Sequence, residues 1–186
     1  MTTSSKTTDS IILAGGCFWC LEAIFKRLRG VTSVISGYTG GSVPNPTYTA
    51  VCSGSTGHAE AVQITFDTTI ITLQELLDIF WKFHDPTTLN QQGADIGTQY
   101  RSAIFYGNEE QHQIASDSKQ HLEQSRVYSN PIVTEITKLT TFYPAEEGHQ
   151  NYYDQNKNQG YCRLVIDPKI QKLFKDYNHK LQKSKE

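Results

Sequence analysis

The chain has 186 residues, enough for one domain with a sizeable core, and 17 basic against 19 acidic residues leave a formal charge of −2. That balance gives no electrostatic support to a nucleic-acid or strongly acidic partner. Its four cysteines are too few for a stapled secreted scaffold of this length and read as reduced thiols of a cytoplasmic protein. The polar start resembles neither a signal peptide nor an anchor, and no later stretch is long enough to span a membrane. One catalytic domain over 1–186 is expected, with residues 1–9 flexible and 183–186 frayed.

Ile11-Ile12-Leu13-Ala14 predicts a strand, and Gly15-Gly16 follow it as a turn. Leu21, Ile24, Phe25 and Leu28 then repeat at helical spacing, so Cys17 falls at a strand-to-helix turn. Gly30 is expected at the C′ position of that helix, before a strand from Val31 to Gly37. Tyr38 to Thr56 reads as a long loop with a larger aromatic load than a linker needs. Ala59 to Asp67 alternates as a strand, and Glu60 shares its apolar face with Val62, Ile64 and Phe66.

Thr72 and Glu75 form a capping box before a helix that ends near His84. A polar loop through Asp95 and Gly97 leads into a strand over Tyr100 to Tyr106. Asn108 caps a helix to about Ser125, and Ile132 to Ile136 predicts another strand. Phe142 to Tyr153 reads as a helical turn or two. The last helix starts near Pro168 and is expected to bury Ile170, Leu173, Phe174, Tyr177 and Leu181. This order predicts an α+β fold, a two-layer sandwich with a ferredoxin-like mixed β-sheet core and irregular loop extensions. No phosphate-binding G-x-G-x-x-G or Walker loop is present, so nucleotide chemistry has little support.

Cys17 is the natural candidate nucleophile. A helix N-terminus presents unpaired N–H groups and a partial positive charge that favour a thiolate. The Cys17-x-x-Cys20 spacing also fits a dithiol or half of a zinc site, and Cys17, Cys20, His58 and Cys162 would complete a tetrahedron. Only one close pair of ligands exists, which argues against zinc. A binding module built on the aromatic loops is a third reading. Glu60 on an apolar strand face suits a general acid with a raised pKa, or a strand-end partner for a lysine or arginine. Cys52 reads as a buried structural cysteine.

Gly16-Cys17-Phe18-Trp19, Tyr48 to Gly54, Gly57 to Val62 and Gly97 to Ser102 occur in an order that resembles the A-type peptide methionine sulfoxide reductases. Phe142-Tyr143-Pro144-Ala145-Glu146, His149-Gln150 and Gly160-Tyr161-Cys162 match as well. The resemblance implies reduction of the S epimer of methionine sulfoxide, peptide-bound or free, through a Cys17 sulfenic acid. It implies Glu60 as the acid, Tyr48 and Tyr100 as donors to the sulfoxide oxygen with Asp95 supporting them, and Phe18, Trp19, His149 and Tyr152 around the substrate. Cys162 matches the resolving cysteine. Cys20 departs from the commonest pattern, which has glycine there, and is an alternative or relay thiol. No bound cofactor or metal is expected. Thioredoxin or a small dithiol would supply the electrons to a monomer whose substrates are oxidised proteins, peptides and free methionine sulfoxide, with no nucleic acid or membrane involved.

Overall fold

The structure, a computed structural model, describes residues 7–183. The expected flexible start lies outside that range only over residues 1–6; Thr8 and Asp9 already pair with Asp67 and Phe66. Of the expected frayed end, residues 184–186 lie outside it.

Strand β1 (Thr8–Ala14) runs into helix α1 (Phe18–Phe25), then β2 (Val31–Thr39), α2 (Tyr48–Cys52), β3 (Ala59–Asp67) and α3 (Leu73–Lys82). A hairpin of β4 (Gln91–Gln92) and β5 (Asp95–Ile96) precedes β6 (Ala103–Tyr106), α4 (Glu109–Ser125), β7 (Glu135–Lys138) and β8 (Phe142–Pro144). Helices α5 (Tyr152–Gln155) and α6 (Asp167–Tyr177) close the chain. The large sheet has the order β7-β6-β1-β3-β2-β8, with every neighbouring pair antiparallel except β6 and β7. It is a mixed sheet in an α+β fold.

Alternation along the central strands divides two apolar layers. Ile11, Leu13, Val62, Ile64, Phe66 and Ile104 join α1, α3 and α6 in the main core. Ile12, Ala14, Ala59, Ala61, Ala103 and Phe105 face the other way, under Leu139 and Phe142. The helices therefore share one face of the sheet, and loops cover the other. Helix α3 begins with the expected capping box, Thr72 with Glu75, and fills that face with Leu76, Leu77 and Phe80. Each such side chain contributes about 1.5–3 kcal/mol on burial, so Leu77→Ala is expected to cost about 2–5 kcal/mol.

Several boundaries differ from the sequence pattern for local reasons. Helix α1 stops at Phe25, and Leu28 leaves the helix to bridge Leu181. Gly30 does take a positive φ of 94°, but in the turn into β2, where Ile70 and Ile71 press against its bare Cα. The loop after β2 begins only after Thr39 and contains α2, capped by the Thr47 hydroxyl. Phe142 to Tyr153 is strand β8 and two short helical turns, because Gly37 lets β8 pair closely with β2: a Cβ there would lie 2.4 Å from the Tyr143 carbonyl oxygen. The side-chain amide of Gln150 extends that ladder, accepting the Ser36 N–H at 2.9 Å and donating to the Ser36 carbonyl at 2.8 Å. On α6, Ile170 and Leu173 are buried as expected, but Phe174 is half exposed. A π-helical stretch, Cys162–Ile166, precedes α6 and buries Cys162 and Ile166.

Candidate active site

Gly16 turns the chain out of β1 with φ at +85° and donates its N–H to the Tyr100 carbonyl at 3.2 Å. Gln92 Cγ lies 2.7 Å from where a Cβ would stand, so only glycine fits without displacing that side chain. Under Gly15 sits the His84 ring, neutral because burial lowers its pKa to about 4. Its Nδ1–H donates to the Phe80 carbonyl at 2.6 Å, and Nε2 meets the Ser102 hydroxyl at 2.7 Å. These contacts fix Cys17 as the N-cap of α1, with its carbonyl accepting the Cys20 N–H at 3.1 Å.

Glu60 reaches this turn from the apolar face of β3. It is 1% exposed, and Oε2 accepts the Phe18 N–H at 3.1 Å while Oε1 has no hydrogen-bond partner. Burial raises the carboxyl to about 8 against the pull of the Phe18 N–H, so it holds a proton at neutral pH.

The thiol pair corrects the expectation of a resting Cys17 thiolate. Burial, the hydrogen bond with Cys20 and the Glu60 charge push the Cys17 thiol well above its ordinary value. A helix terminus is worth only about 0.3–1 kcal/mol at the surface, whereas full burial shifts a pKa by up to about 3–5 units, so burial wins here. Cys20 moves the other way, to about 7, chiefly through its hydrogen bond with Cys17 and with help from the Lys169 charge. The two sulfurs titrate as a pair whose negative charge settles first on Cys20.

An aromatic wall stands beside them. The Trp19 and Tyr152 rings are parallel, 3.6 Å between centroids, and Trp19 Nε1–H donates to His149 Nδ1 at 3.3 Å. Tyr48 lies 4.2 Å from His149, and Phe18 6.3 Å from Tyr48. Glu146 ties two elements into this wall by accepting the Tyr38 hydroxyl at 2.9 Å and the Tyr48 N–H at 3.1 Å. Burial raises the Tyr48 and Tyr100 phenols well above their ordinary values, keeping both as neutral donors.

Asp95 accepts the Tyr161 hydroxyl at 2.6 Å, and has no such bond from Tyr48 or Tyr100. A cleft of 360 Å³ opens here, lined by Cys17, Cys20, Gln92, Asp95, Tyr161 and Lys169. Cys162 is fully buried at the start of the π-helical stretch, and burial and the Cys20 charge raise its thiol. The fold thus brings Cys17, Cys20, Glu60, Tyr48 and Tyr100 together and holds Cys162 behind them. Cys52 is half-buried at the end of α2, not in the core as expected: Val51 is the residue of that short helix that is buried, and the Cys52 thiol bonds to Tyr48 instead. His58 is remote from the cysteines in its bonding: Nδ1 accepts the Gly41 N–H at 3.0 Å and Nε2 donates to the Val43 carbonyl at 2.7 Å. Among the described residues no group of three or more His, Cys, Asp or Glu is arranged to hold a metal ion.

The family model for peptide methionine sulfoxide reductase matches residues 9–182. The chain belongs to that family. The peptide methionine sulfoxide reductase MsrA of Deinococcus radiodurans is 55% identical over 174 residues, 94% of this chain and 84% of that protein. The reduced form of Mxr1 from Saccharomyces cerevisiae is similar in structure, with a TM-score of 0.77 and 35% identity over 87% of this chain and 92% of that one. A complex of Mxr1 with Trx2 matches at a TM-score of 0.55 and 26% identity, covering 82% and 89% of the two chains. As a methionine sulfoxide reductase the chain is an oxidoreductase, and its site contains residues that the sequence pattern alone did not single out. Tyr161 and Glu146 lay inside quoted motifs, next to Cys162 and before His149. Glu22, 2% exposed on α1, had one signal: an acid one turn after Trp19 on an otherwise apolar helix.

Proposed function

We propose that this reductase acts on the S epimer of methionine sulfoxide, peptide-bound and free, with Cys17 as nucleophile and Glu60 as general acid. The observation that carries this reading is the buried Glu60 carboxyl, protonated near neutrality and bonded to the amide that follows Cys17. Sulfoxide oxygen leaves sulfur only when protonated, so such an acid must stand beside the nucleophile. The Cys17 proton passes along its hydrogen bond to the Cys20 sulfur, and the Cys17 sulfur attacks the sulfoxide sulfur. Glu60 gives its proton to the oxygen, with the Tyr48 and Tyr100 hydroxyls donating to it. The new sulfur–sulfur bond then breaks as the hydroxyl passes from the methionine sulfur to the Cys17 sulfur, so methionine departs with its lone pair restored and Cys17 is left as the sulfenic acid.

A second thiol then attacks Cys17, forming a disulfide and releasing water. Two thiols and one sulfoxide thus become one disulfide, one methionine and one water. Phe18, Trp19, His149 and Tyr152 hold the S-methyl group by ring contacts suited to sulfur and carbon. Asp95 acts through Tyr161, and Cys162 completes the cycle. The Mxr1–Trx2 complex supports thioredoxin as the reductant, with no bound cofactor needed for the cycle.

The order strand-helix-strand-strand-helix-strand of β1, α1, β2, β3, α3 and β6, arranged β6-β1-β3-β2, supports a ferredoxin-like reading of the core. We read the chain as one monomeric domain in the cytoplasm. No helix among the described residues is long and apolar enough to cross a membrane.

The test is turnover of a methionine sulfoxide peptide, as separate S and R epimers, with thioredoxin and a regenerating reductase. The parent consumes the S epimer alone, and Cys17→Ser consumes neither while keeping the parent's circular dichroism. Comparable use of both epimers, or substantial turnover by Cys17→Ser, overturns the reading.

A further inference from the structure

The chemistry proposed above makes no use of Glu22, yet it is one of the few charged side chains in the core, at 2% exposure. It stands on α1 one turn after Trp19, and residues three apart on a helix share a face. Its Oε1 accepts the Asn151 N–H at 2.8 Å, and the Tyr152 N–H adds to its stabilisation.

That contact solves a local problem. Helix α5 is only four residues long, and Asn151 at its N-cap is left-handed, φ 53°, with no side-chain cap of its own. Free amides at a helix start need an acceptor. The Asn151 side chain is turned to Lys26 instead, and Lys26 and Arg27 both pair with Asp154. Glu22 supplies the cap from a different helix.

The residue that opens the capped turn is Tyr152, whose ring lies on Trp19. A four-residue helix has no stability of its own, so its place depends on what holds it. We propose that Glu22 is a positioning residue for substrate: by capping α5 from α1 it holds Tyr152 parallel to Trp19 and keeps the methyl-binding wall assembled. It touches neither substrate nor the reacting sulfurs. Its effect therefore falls on the binding of the sulfoxide and not on the attack. The inference rests on the proposed use of Trp19 and Tyr152 as that wall.

The test has two parts. In a Trp81→Phe background Trp19 is the remaining tryptophan, and acrylamide quenching of its fluorescence reports the Tyr152 stack without any substrate. Glu22→Ala is expected to raise that quenching. With N-acetyl-methionine S-sulfoxide, Glu22→Ala should raise KM by about tenfold, within the two- to thirtyfold range that loss of a helix cap implies. Its kcat at saturation should fall by less than about threefold. In a Tyr152→Ala background Glu22→Ala should add less than about twofold to KM, because the two act as one unit.

Unchanged quenching, an unchanged KM, or KM effects that multiply in the double variant overturn the proposal. So does an equal loss of kcat and kcat/KM. Should Glu22→Ala not fold, Glu22→Gln keeps the volume and an acceptor oxygen but weakens the cap by losing the charge; it should exceed the parent in quenching and in KM, and parent values in both overturn the idea. Quenching needs neither sulfoxide nor turnover, so its failure is distinct from failure of the proposed chemistry.

Discussion

The Cys20 sulfur lies 3.8 Å from the Tyr161 hydroxyl, which donates to Asp95 at 2.6 Å. The second thiol of the helix start is thus built into a polar contact that reaches the residue next to Cys162. With Lys169 adding positive charge, Cys20 carries the first thiolate of the pair, near pH 7. Ultraviolet thiolate absorbance of the reduced protein should therefore rise with a midpoint of about 7. Cys20→Ser should remove that step, and Lys169→Gln should move it to higher pH, since loss of a nearby cation disfavours the anion. A midpoint indifferent to Cys20→Ser would show that another thiol titrates there.

Glu60→Gln should slow methionine release in a single turnover by about 10²-fold or more, the range for loss of a general acid. In the parent, that rate should rise through about 7 as Cys20 gains the charge that takes the Cys17 proton, and fall above about 8 as the acid loses its proton. Stability follows the same shift. The folded carboxyl binds its proton more tightly than the unfolded one, so its contribution is complete below 4.5 and is lost as pH rises through about 8. Urea unfolding should show Glu60→Gln gaining on the parent from pH 5 to 9, by up to about 1.4 kcal/mol per pH unit within that window. Equal pH profiles for the two proteins would remove the buried acid from the argument.

The order of disulfides is the third expectation. Cys17 interacts with Cys20, and Cys162 with Cys20, so the first bond should be Cys17–Cys20 and the next Cys20–Cys162. After a substoichiometric dose of sulfoxide, Cys162→Ser should accumulate Cys17–Cys20 and lose thioredoxin-linked turnover, while still releasing one methionine per enzyme. Peptide mapping that finds Cys17–Cys162 as the earliest bond in the parent excludes the relay. Normal thioredoxin turnover in Cys162→Ser makes Cys20 the resolving residue.

Chelation should leave the activity unchanged. Both nitrogens of His58 are already bonded to backbone groups, so it cannot join the cysteines as a ligand without breaking two hydrogen bonds. Turnover that falls on dialysis against a chelator and returns with zinc would contradict this.

The parts of the site that were legible in the sequence are those set by local pattern. Alternation in β3 put Glu60 on the apolar face with the observed strand bounds, and the caps at Thr72 and Asn108 located α3 and α4. The family motifs pointed to Tyr48, Tyr100, Trp19, His149 and Tyr152, but not to the parts played by Tyr161, Glu146 and Glu22, which depend on partners far away in the chain. Elements of two to five residues, such as β4, β5, β8 and α2, are too short to display a period and depend on tertiary partners such as Gly37 opposite Pro144. The proton on Cys17 was equally invisible. The helix start that suggested a thiolate is a local feature, whereas the burial that opposes it belongs to the assembled core.

The amide of Gln150 on Ser36 has a consequence for association between chains. Strand β2 is covered by β8 only over Gly37 to Thr39, which leaves its other half as an unpaired margin of the sheet. At Ser36 the glutamine amide already presents the donor and acceptor that an incoming strand would offer. At Val31 the amide of Gln182 takes the carbonyl at 3.0 Å. A foreign strand finds only Thr32 to Ile35 between these two plugs, shorter than the five or six residues of a typical strand. Growth of this sheet by edge-to-edge addition, the usual route to β-aggregates, is closed off there by two side chains.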